Sequence, residues 1–333
     1  MNAGGDCADP ASLALFGLEG AADYAARVAE RLGVPLAAHE HREFEEGEHK
    51  SRPLESVRGR DVYVLQGLYA GQGRSANDRL CHLLFFLGAV RDAGAARVTV
   101  VAPYLCYARK DRRTKPRDPV TTRYVAAVLE AVGADVVVAM DVHNLAAFQN
   151  AFRCRTEHLE ARLPFVEELV GRLEGPITVV SPDAGGMHRA ERFREALQAR
   201  AGGAVPLAFV EKHRSGGVVT GGAVVGELSG RCAVLVDDLV SSGTTLARAA
   251  RACRASGAGR VMAVVTHGLF DTRAGAVLAG GDLDQVVVAD TVPPRLPEAI
   301  AERWLVRVDT TPLVAEAIAR LHDGGSLVEL LEV

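Results

Sequence analysis

The chain has 333 residues, 48% of them hydrophobic and 24% charged, which is enough for one large or two medium domains with apolar cores. The formal net charge is −4 and aromatic residues make up 5%, so the composition argues against a nucleic-acid partner. The cysteines lack metal or redox spacing, and we find no signal peptide and no apolar run of about 18 residues. We therefore expect a cytoplasmic protein with reduced thiols and no membrane span.

Apolar runs alternate with amphipathic stretches in the first half of the chain. Strands are predicted in SLALFGLEG, DVYVLQG, ARVTVVAPY and DVVVAMDVH, and helices in AADYAARVAERLG, SANDRLCHLLFFLGAVRDAG and PVTTRYVAAVLEAVG. This β-α-β order is typical of a parallel sheet with helices on both faces.

The same alternation restarts after about residue 160 and continues to a terminal helix in TPLVAEAIARLHDGG. We therefore predict an α/β fold with two domains, residues 1–160 and 161–333, each a mainly parallel sheet flanked by helices. The terminal helix is open to packing back on the first domain. Ligands of such sheets bind beyond the carboxyl ends of the strands, so the loops that follow strands are the places to search.

The segment VLVDDLVSSGTTL, residues 234–246, combines a buried strand, paired acids and a small polar loop. Asp237 and Asp238 can hydrogen-bond sugar hydroxyls. The loop that follows opens a helix, and its backbone N–H groups and hydroxyls can hold a phosphate. It consists of Ser241, Ser242, Gly243, Thr244 and Thr245. The alternative is a capped helix after a strand, with acids that merely cap the helix.

Two further segments carry charge in loops. APYLCYARKDRRTKPRDPVT follows a strand and contains Arg109, Lys110 and Asp111 in a cationic run that can hold a triphosphate. FEEGEHK begins at Phe44 and contains Glu46 and Glu48. Taken alone, these segments are better explained by a solvated basic turn and an exposed acidic turn.

Three more places complete the candidates. His143 lies just beyond a predicted strand, and SPDAGG places Asp183, a hard oxygen ligand suited to Mg²⁺, before two glycines that let backbone N–H groups approach a diphosphate. Lys212 and Arg214 open a glycine-rich segment that we expect to be mobile and able to close over phosphates. The alternatives are a structural histidine, a plain turn and a basic hairpin.

Taken in order, these segments resemble the ribose-phosphate diphosphokinase family from about residue 12 to the end of the chain. The loop at Asp237–Thr245 also resembles that of type I phosphoribosyltransferases, whereas the basic segment matches the diphosphokinase pattern PYxxYARxDRxxxxRxPxT, MDVH its MDLH and SPDAGG its SPDxGG. The resemblance implies two type I phosphoribosyltransferase-like domains, with ATP and ribose 5-phosphate as substrates and Mg²⁺ as the metal.

The resemblance also implies roles for individual residues. Phe44, Glu46 and Glu48 would bind adenine, with their loop reaching into a neighbouring subunit's site, and the segment of Arg109, Lys110 and Asp111 would bind ATP. His143 and Asp183 would bind magnesium, Lys212 and Arg214 would belong to a flexible catalytic loop, and Asp237 to Thr245 would bind ribose 5-phosphate. A shared adenine site implies a dimer-based homo-oligomer, with hexamers common in the family.

The chain departs from the family pattern at three of these positions. Ser241 stands where Asp is usual, Glu46 where Asp or Asn is usual, and Lys110 where Gln is usual. Two alternatives to the enzyme remain open: a catalytically silent regulatory homologue, and a phosphoribosyltransferase that consumes the product. GQGRSA, residues 71–76, fits a dinucleotide fingerprint, but the next strand does not end in the required acid, and no GxxxxGK[ST] motif occurs.

Overall fold

The computed structural model describes residues 12–215, 218–278 and 280–332, and between residues 212 and 221 it describes the backbone alone. The chain divides into two compact units. The first unit contains the described residues up to Glu160 together with Thr311–Glu332, and the second unit contains Ala161–Thr310. Each unit is described by itself below.

The first unit is built on a parallel sheet with strand order β1-β4-β5-β6-β7, accompanied by a separate antiparallel hairpin, β2–β3. Its strands are β1 (Leu13–Gly17), β2 (His39–Glu43), β3 (His49–Pro53), β4 (Asp61–Leu65), β5 (Arg97–Ala102), β6 (Val136–Met140) and β7 (Arg155–Leu159). Its helices up to Glu160 are α1 (Ala22–Leu32), α2 (Ala76–Asp92), α3 (Thr121–Ala131) and α4 (Leu145–Ala151). Valine-rich strands, buried on both faces, form the centre of the core.

Helix α2 begins with a capping box. The backbone N–H of Asp78 donates to Ser75 Oγ at 3.1 Å, and the backbone N–H of Ser75 donates to the Asp78 carboxylate at 2.7 Å. The preceding turn closes on itself through backbone hydrogen bonds between Gly71 and Arg74. The sequence GQGRSA therefore forms a turn and caps a helix. This agrees with the argument from sequence against a dinucleotide-binding motif, in which the required ribose-binding acid is missing.

The second unit is built on one sheet with strand order β10-β9-β8-β11-β12-β13-β14, parallel except for the antiparallel pair β9–β10. Its strands are β8 (Ile177–Ser181), β9 (Leu207–Ser215), β10 (Val218–Val225), β11 (Cys232–Val240), β12 (Arg260–Gly268), β13 (Gln285–Ala289) and β14 (Leu305–Val308). Its helices are α5 (Arg162–Val170), α6 (Met187–Ala201), α7 (Thr244–Ala255), α8 (Ala274–Leu278) and α9 (Glu298–Trp304). The α/β class with helix-flanked, mainly parallel sheets is confirmed.

The last helices, α10 (Thr311–Asp323) and α11 (Val328–Leu331), belong to the first unit. Helix α10 packs against α1, and the Leu321 carbonyl accepts a hydrogen bond from Arg97 Nη2 at 2.8 Å. His322 Nδ1 lies 2.7 Å from an Asp61 carboxylate oxygen. Over the described ranges, we find no helix with the length and apolar character that crossing a bilayer requires.

Candidate active site

The best-defined part of the site lies at the carboxyl edge of the second unit's sheet. Strands β8 and β11 are parallel neighbours, with Val180 opposite Leu235, so the loops that follow them leave the sheet side by side. Asp183 lies in the loop after β8. Asp237 and Asp238 lie within β11, close to its carboxyl end. The fold therefore brings two of the predicted segments to one edge of one sheet.

Asp237 and Asp238 share one cationic neighbour. Arg189 Nη1, on α6, lies 3.6 Å from a carboxylate oxygen of each. Asp238 is only 4% exposed and Asp237 is half-buried. Burial and the neighbouring charge of Asp238 raise the pKa of Asp237 to about 8, and Arg189 opposes that rise. Sequence reasoning missed Arg189, although its place three residues after the Gly185–Gly186 turn gave a signal.

The loop Ser241–Thr245 has the backbone of a phosphate cradle. Gly243 has φ +78°, and a Cβ there would come within 2.9 Å of Leu278, so glycine is required both for conformation and for space. Helix α7 begins at Thr244, which leaves the N–H groups of its first turn directed at the loop. Ser242 Oγ and Thr244 Oγ1 are hydrogen-bonded at 2.8 Å.

Asp183 begins a short 3₁₀ turn of Ala184–Gly186. Its Oδ1 accepts backbone hydrogen bonds from Gly185 at 2.9 Å and Gly186 at 3.2 Å. The carboxylate is thus positioned by the turn it caps. A fixed, partly buried carboxylate is the hard oxygen donor that Mg²⁺ prefers, so the residue fits the predicted metal role as well as the capping role.

Two predicted nucleotide segments meet in the first unit. Asn144 Nδ2 donates to the Asp111 carboxylate at 2.7 Å, which joins the loop after β6 to the basic loop after β5. His143, next to Asn144, is exposed, as are Arg109 and Lys110. Lys110 is near enough to Asp118 for an attractive electrostatic interaction. Exposed cations beside a strand end suit a polyanion.

The third predicted nucleotide segment forms the tip of the β2–β3 hairpin. Phe44 N–H donates to the Glu48 carbonyl at 2.8 Å, and Gly47 turns the chain with φ +83°. Phe44 is 39% exposed, and Glu46 and Glu48 are exposed. The tip therefore presents an aromatic ring and carboxylates outward.

Lys212 and Arg214 lie on β9. Arg214 pairs with Val219 and His213 with Thr220 in the antiparallel β9–β10 ladder, and the expected mobility of this glycine-rich segment stays a prediction. The side chains of Lys212 and Arg214 lie outside the described residues. Their predicted catalytic role stays a prediction.

Two family profiles match this chain, one in its first half and one in its second half. A family profile described as the N-terminal domain of ribose phosphate pyrophosphokinase matches residues 13–133, and one described as the phosphoribosyl synthetase-associated domain matches residues 218–332. The ribose-phosphate pyrophosphokinase of Caldanaerobacter subterraneus subsp. tengcongensis is 37% identical over 308 residues, covering 92% of this chain and 93% of the relative. That of Nostoc sp. is 36% identical over 301 residues, covering 90% and 88%.

A solved structure gives the same result. The crystal structure of phosphoribosylpyrophosphate synthetase from Mycobacterium smegmatis matches with a TM-score of 0.84 and 32% identity, covering 94% of this chain and all of that one. The fold and the site thus define an α/β enzyme with phosphoribosyltransferase-like domains. The chain belongs to the ribose-phosphate pyrophosphokinase family, and it is an enzyme of that class, a transferase of diphosphate groups.

Proposed function

We propose that this enzyme transfers the β,γ-diphosphate of ATP to the C1 hydroxyl of ribose 5-phosphate, giving 5-phosphoribosyl 1-diphosphate and AMP. The observation that carries the proposal is the sequence of groups along β11 and α7. The paired carboxylates of Asp237 and Asp238 come directly before a glycine-turned hydroxyl loop at a helix N-terminus. Carboxylates suit the ribose hydroxyls, and the loop suits the 5-phosphate.

The reaction needs positioning and charge neutralisation rather than a covalent nucleophile on the protein. The C1 hydroxyl loses its proton and its oxygen bonds to the β-phosphorus, while the bond between that phosphorus and the oxygen bridging to the α-phosphate breaks and AMP leaves. Lys212 and Arg214 are proposed to stabilise the charge that develops on the transferred group. Arg109, Lys110 and Asp111 are proposed to bind the ATP phosphates, and Phe44, Glu46 and Glu48 the adenine.

Magnesium is the proposed metal. Asp183 fits it directly as an oxygen ligand, whereas the imidazole of His143 fits as a hydrogen-bonding partner of the ion's water molecules, which Mg²⁺ releases reluctantly. When bound, the ion would neutralise charge on the ATP phosphates. A dimer-based homo-oligomer remains our proposal for the assembly.

The direct test is to incubate the pure protein with Mg-ATP and ribose 5-phosphate and to measure AMP. We expect one AMP for each ribose 5-phosphate consumed. Ribose 5-phosphate labelled with ¹⁸O at the C1 hydroxyl should keep its label in the bridging C1–O–P oxygen, because attack at phosphorus leaves the C1–O bond intact. Absence of AMP would instead favour a silent homologue or a phosphoribosyltransferase.

The Lys212→Ala variant tests the assignment of the catalytic segment. We expect turnover to fall by at least about 100-fold, as for the loss of other groups that stabilise transition-state charge, while ribose 5-phosphate affinity stays nearly unchanged. Arg303→Ala is the control, because Arg303 is an exposed cation on α9, outside the segments proposed to bind substrates. Wild-type turnover in Lys212→Ala would remove the catalytic role of this residue.

A further inference from the structure

Three histidines of the first unit lie against one another, and two of them belong to the hairpin that carries Phe44, Glu46 and Glu48 at its tip. His41 lies on β2, His49 on β3 and His82 on α2. The ring centroids are 4.0 Å apart for His49 and His82, 4.3 Å for His41 and His82, and 5.4 Å for His41 and His49. We call these three residues, together with Glu19 from the loop after β1, the histidine cluster.

Glu19 brings a carboxylate to the histidines. Its Oε2 lies 3.8 Å from His41 Nε2 and 3.9 Å from His82 Nδ1, and one donor atom from each of these three residues lies within 4.8 Å of the others. Four-coordinate zinc with bonds of about 2.0–2.1 Å holds its donors about 3.4 Å apart. The two distances from Glu19 exceed this separation by about 0.4–0.5 Å, and the third pair of donors, which lies within 4.8 Å, exceeds it by at most about 1.4 Å.

Hydrogen bonding within the cluster is incomplete. Nε2 of His41 and Nε2 of His49 are buried, and neither has a hydrogen-bond partner among the described residues. His82 is 8% exposed. A buried polar atom without a partner destabilises a fold by about 1–3 kcal/mol, so these two nitrogen atoms call for an explanation beyond packing.

Two carboxylates and one guanidinium lie next to the histidines. Arg74 is ion-paired with Glu43, and its Nε lies 3.6 Å from Glu19 Oε2. Glu43 Oε1 also lies 3.6 Å from His41 Nε2. Two carboxylates beside one guanidinium leave one negative charge that a cation would compensate.

We propose that Glu19, His41 and His82 form a binding site for one divalent transition-metal ion, with zinc as the best fit. Two imidazoles and one carboxylate are nitrogen and oxygen donors that suit zinc rather than magnesium, so this site is separate from the proposed magnesium site. The ion would join three elements: the turn after β1, the β2–β3 hairpin and helix α2.

The test measures binding by the full chain, stripped of metal with a chelator and then titrated with Zn²⁺ against a chromophoric competitor. We expect one Zn²⁺ per chain and a thermal midpoint that rises with Zn²⁺ concentration. His82→Gln and Glu19→Gln should each weaken binding by at least about 100-fold, because the loss of an outer-shell partner alone weakens binding 10–100-fold. His188→Gln, an exposed histidine on α6, is the matched control and should bind as the wild type does.

Co²⁺ provides a second readout that does not depend on the folding of any variant. In the wild-type chain it should give an intense tetrahedral visible spectrum without a thiolate charge-transfer band. A thiolate band would assign the ion to a cysteine and overturn the proposal. Failure of the wild type to retain one equivalent of Zn²⁺, or unchanged affinity in a folded His82→Gln protein, would overturn it equally.

Discussion

Asp237 and Asp238 are adjacent carboxylates that share one arginine, Arg189, at the end of a buried strand. Two like charges so close, and so poorly solvated, disfavour the doubly ionised state, which is why the pKa of Asp237 rises to about 8. The same proximity lets the pair face two neighbouring hydroxyls of a sugar. A residue pair that suits ligand binding therefore lowers the stability of the protein without ligand.

The Asp237→Asn variant tests whether this residue lowers the stability of the protein without ligand. The native state keeps a proton on Asp237 that the unfolded chain releases near its ordinary pKa of 3.8, so this residue lowers stability progressively between about pH 4 and pH 8. Asparagine cannot titrate. The variant should therefore match the wild type near pH 4 and be more stable by about 1–3 kcal/mol near pH 9, while losing ribose 5-phosphate affinity.

Urea unfolding at about pH 4 and about pH 9 measures the difference, with Glu195→Gln, an exposed acid on α6, as the control. A gain in stability that is equal at both pH values would show that Asp237 is not the titrating group. A loss of stability near pH 9 would show that its charge is compensated in the folded protein.

At the scale of the element, a strand could be predicted from the sequence only where its apolar residues form a recognisable pattern. The valine-rich strands β4, β5, β6 and β11 were predicted because a strand buried on both faces is apolar throughout. The hairpin β2–β3 was missed, since HEHRE and HKSRP have no apolar alternation and pack against α2 mostly through histidines. A strand that is defined by its tertiary neighbours leaves no periodic signal.

Residues of the candidate site could likewise be predicted only where a local sequence pattern marks them. Asp237, Asp238 and the loop to Thr245 were recognisable because acids and small hydroxyl residues directly follow a buried strand. Arg189 and the histidine cluster were not, because an arginine on a helix or single histidines on separate elements have meaning only once the fold brings them together. The pairing of Asn144 with Asp111 likewise depends on two loops that are far apart in sequence.

The hairpin tip gives the prediction at this scale. Phe44→Ala should raise the KM for ATP about tenfold and change turnover little, because stacking of a base on an aromatic ring contributes about 1–3 kcal/mol. Steady-state kinetics with varied ATP measures it. Tyr124→Ala removes another exposed ring in the same unit and is the control. An unchanged KM in Phe44→Ala would remove this loop from the adenine site.

At the scale of the whole molecule, the chain leaves the first unit at Glu160 and returns to it at Thr311. The return is secured by polar contacts. Arg97 and His322 both bind Asp61, and Ser12 Oγ lies 3.1 Å from His322 Nε2. Burial tends to raise the pKa of Asp61, but hydrogen bonds from Arg97 and His322 lower it below its ordinary value, so the carboxylate stays ionised.

His322→Ala should therefore lower the free energy of unfolding of the first unit by about 1–3 kcal/mol, because it removes a hydrogen bond to a mostly buried carboxylate. Differential scanning calorimetry measures the shift, and ribose 5-phosphate affinity should be unchanged because its proposed site lies on the second unit. His188→Ala, which removes an exposed imidazole, is the control. Equal stabilities of the two variants would show that the His322–Asp61 contact is not stabilising.

The interrupted path of the first unit also constrains the order of events during translation. Strands β1 to β7 leave the ribosome early, but helix α10, which packs against α1, is synthesised only after the whole of the second unit. The domain that starts first is therefore finished last, and the nascent first sheet waits with one side of α1 uncovered while about 150 further residues emerge. A chaperone that shields this apolar face of a half-made chain would act during that interval.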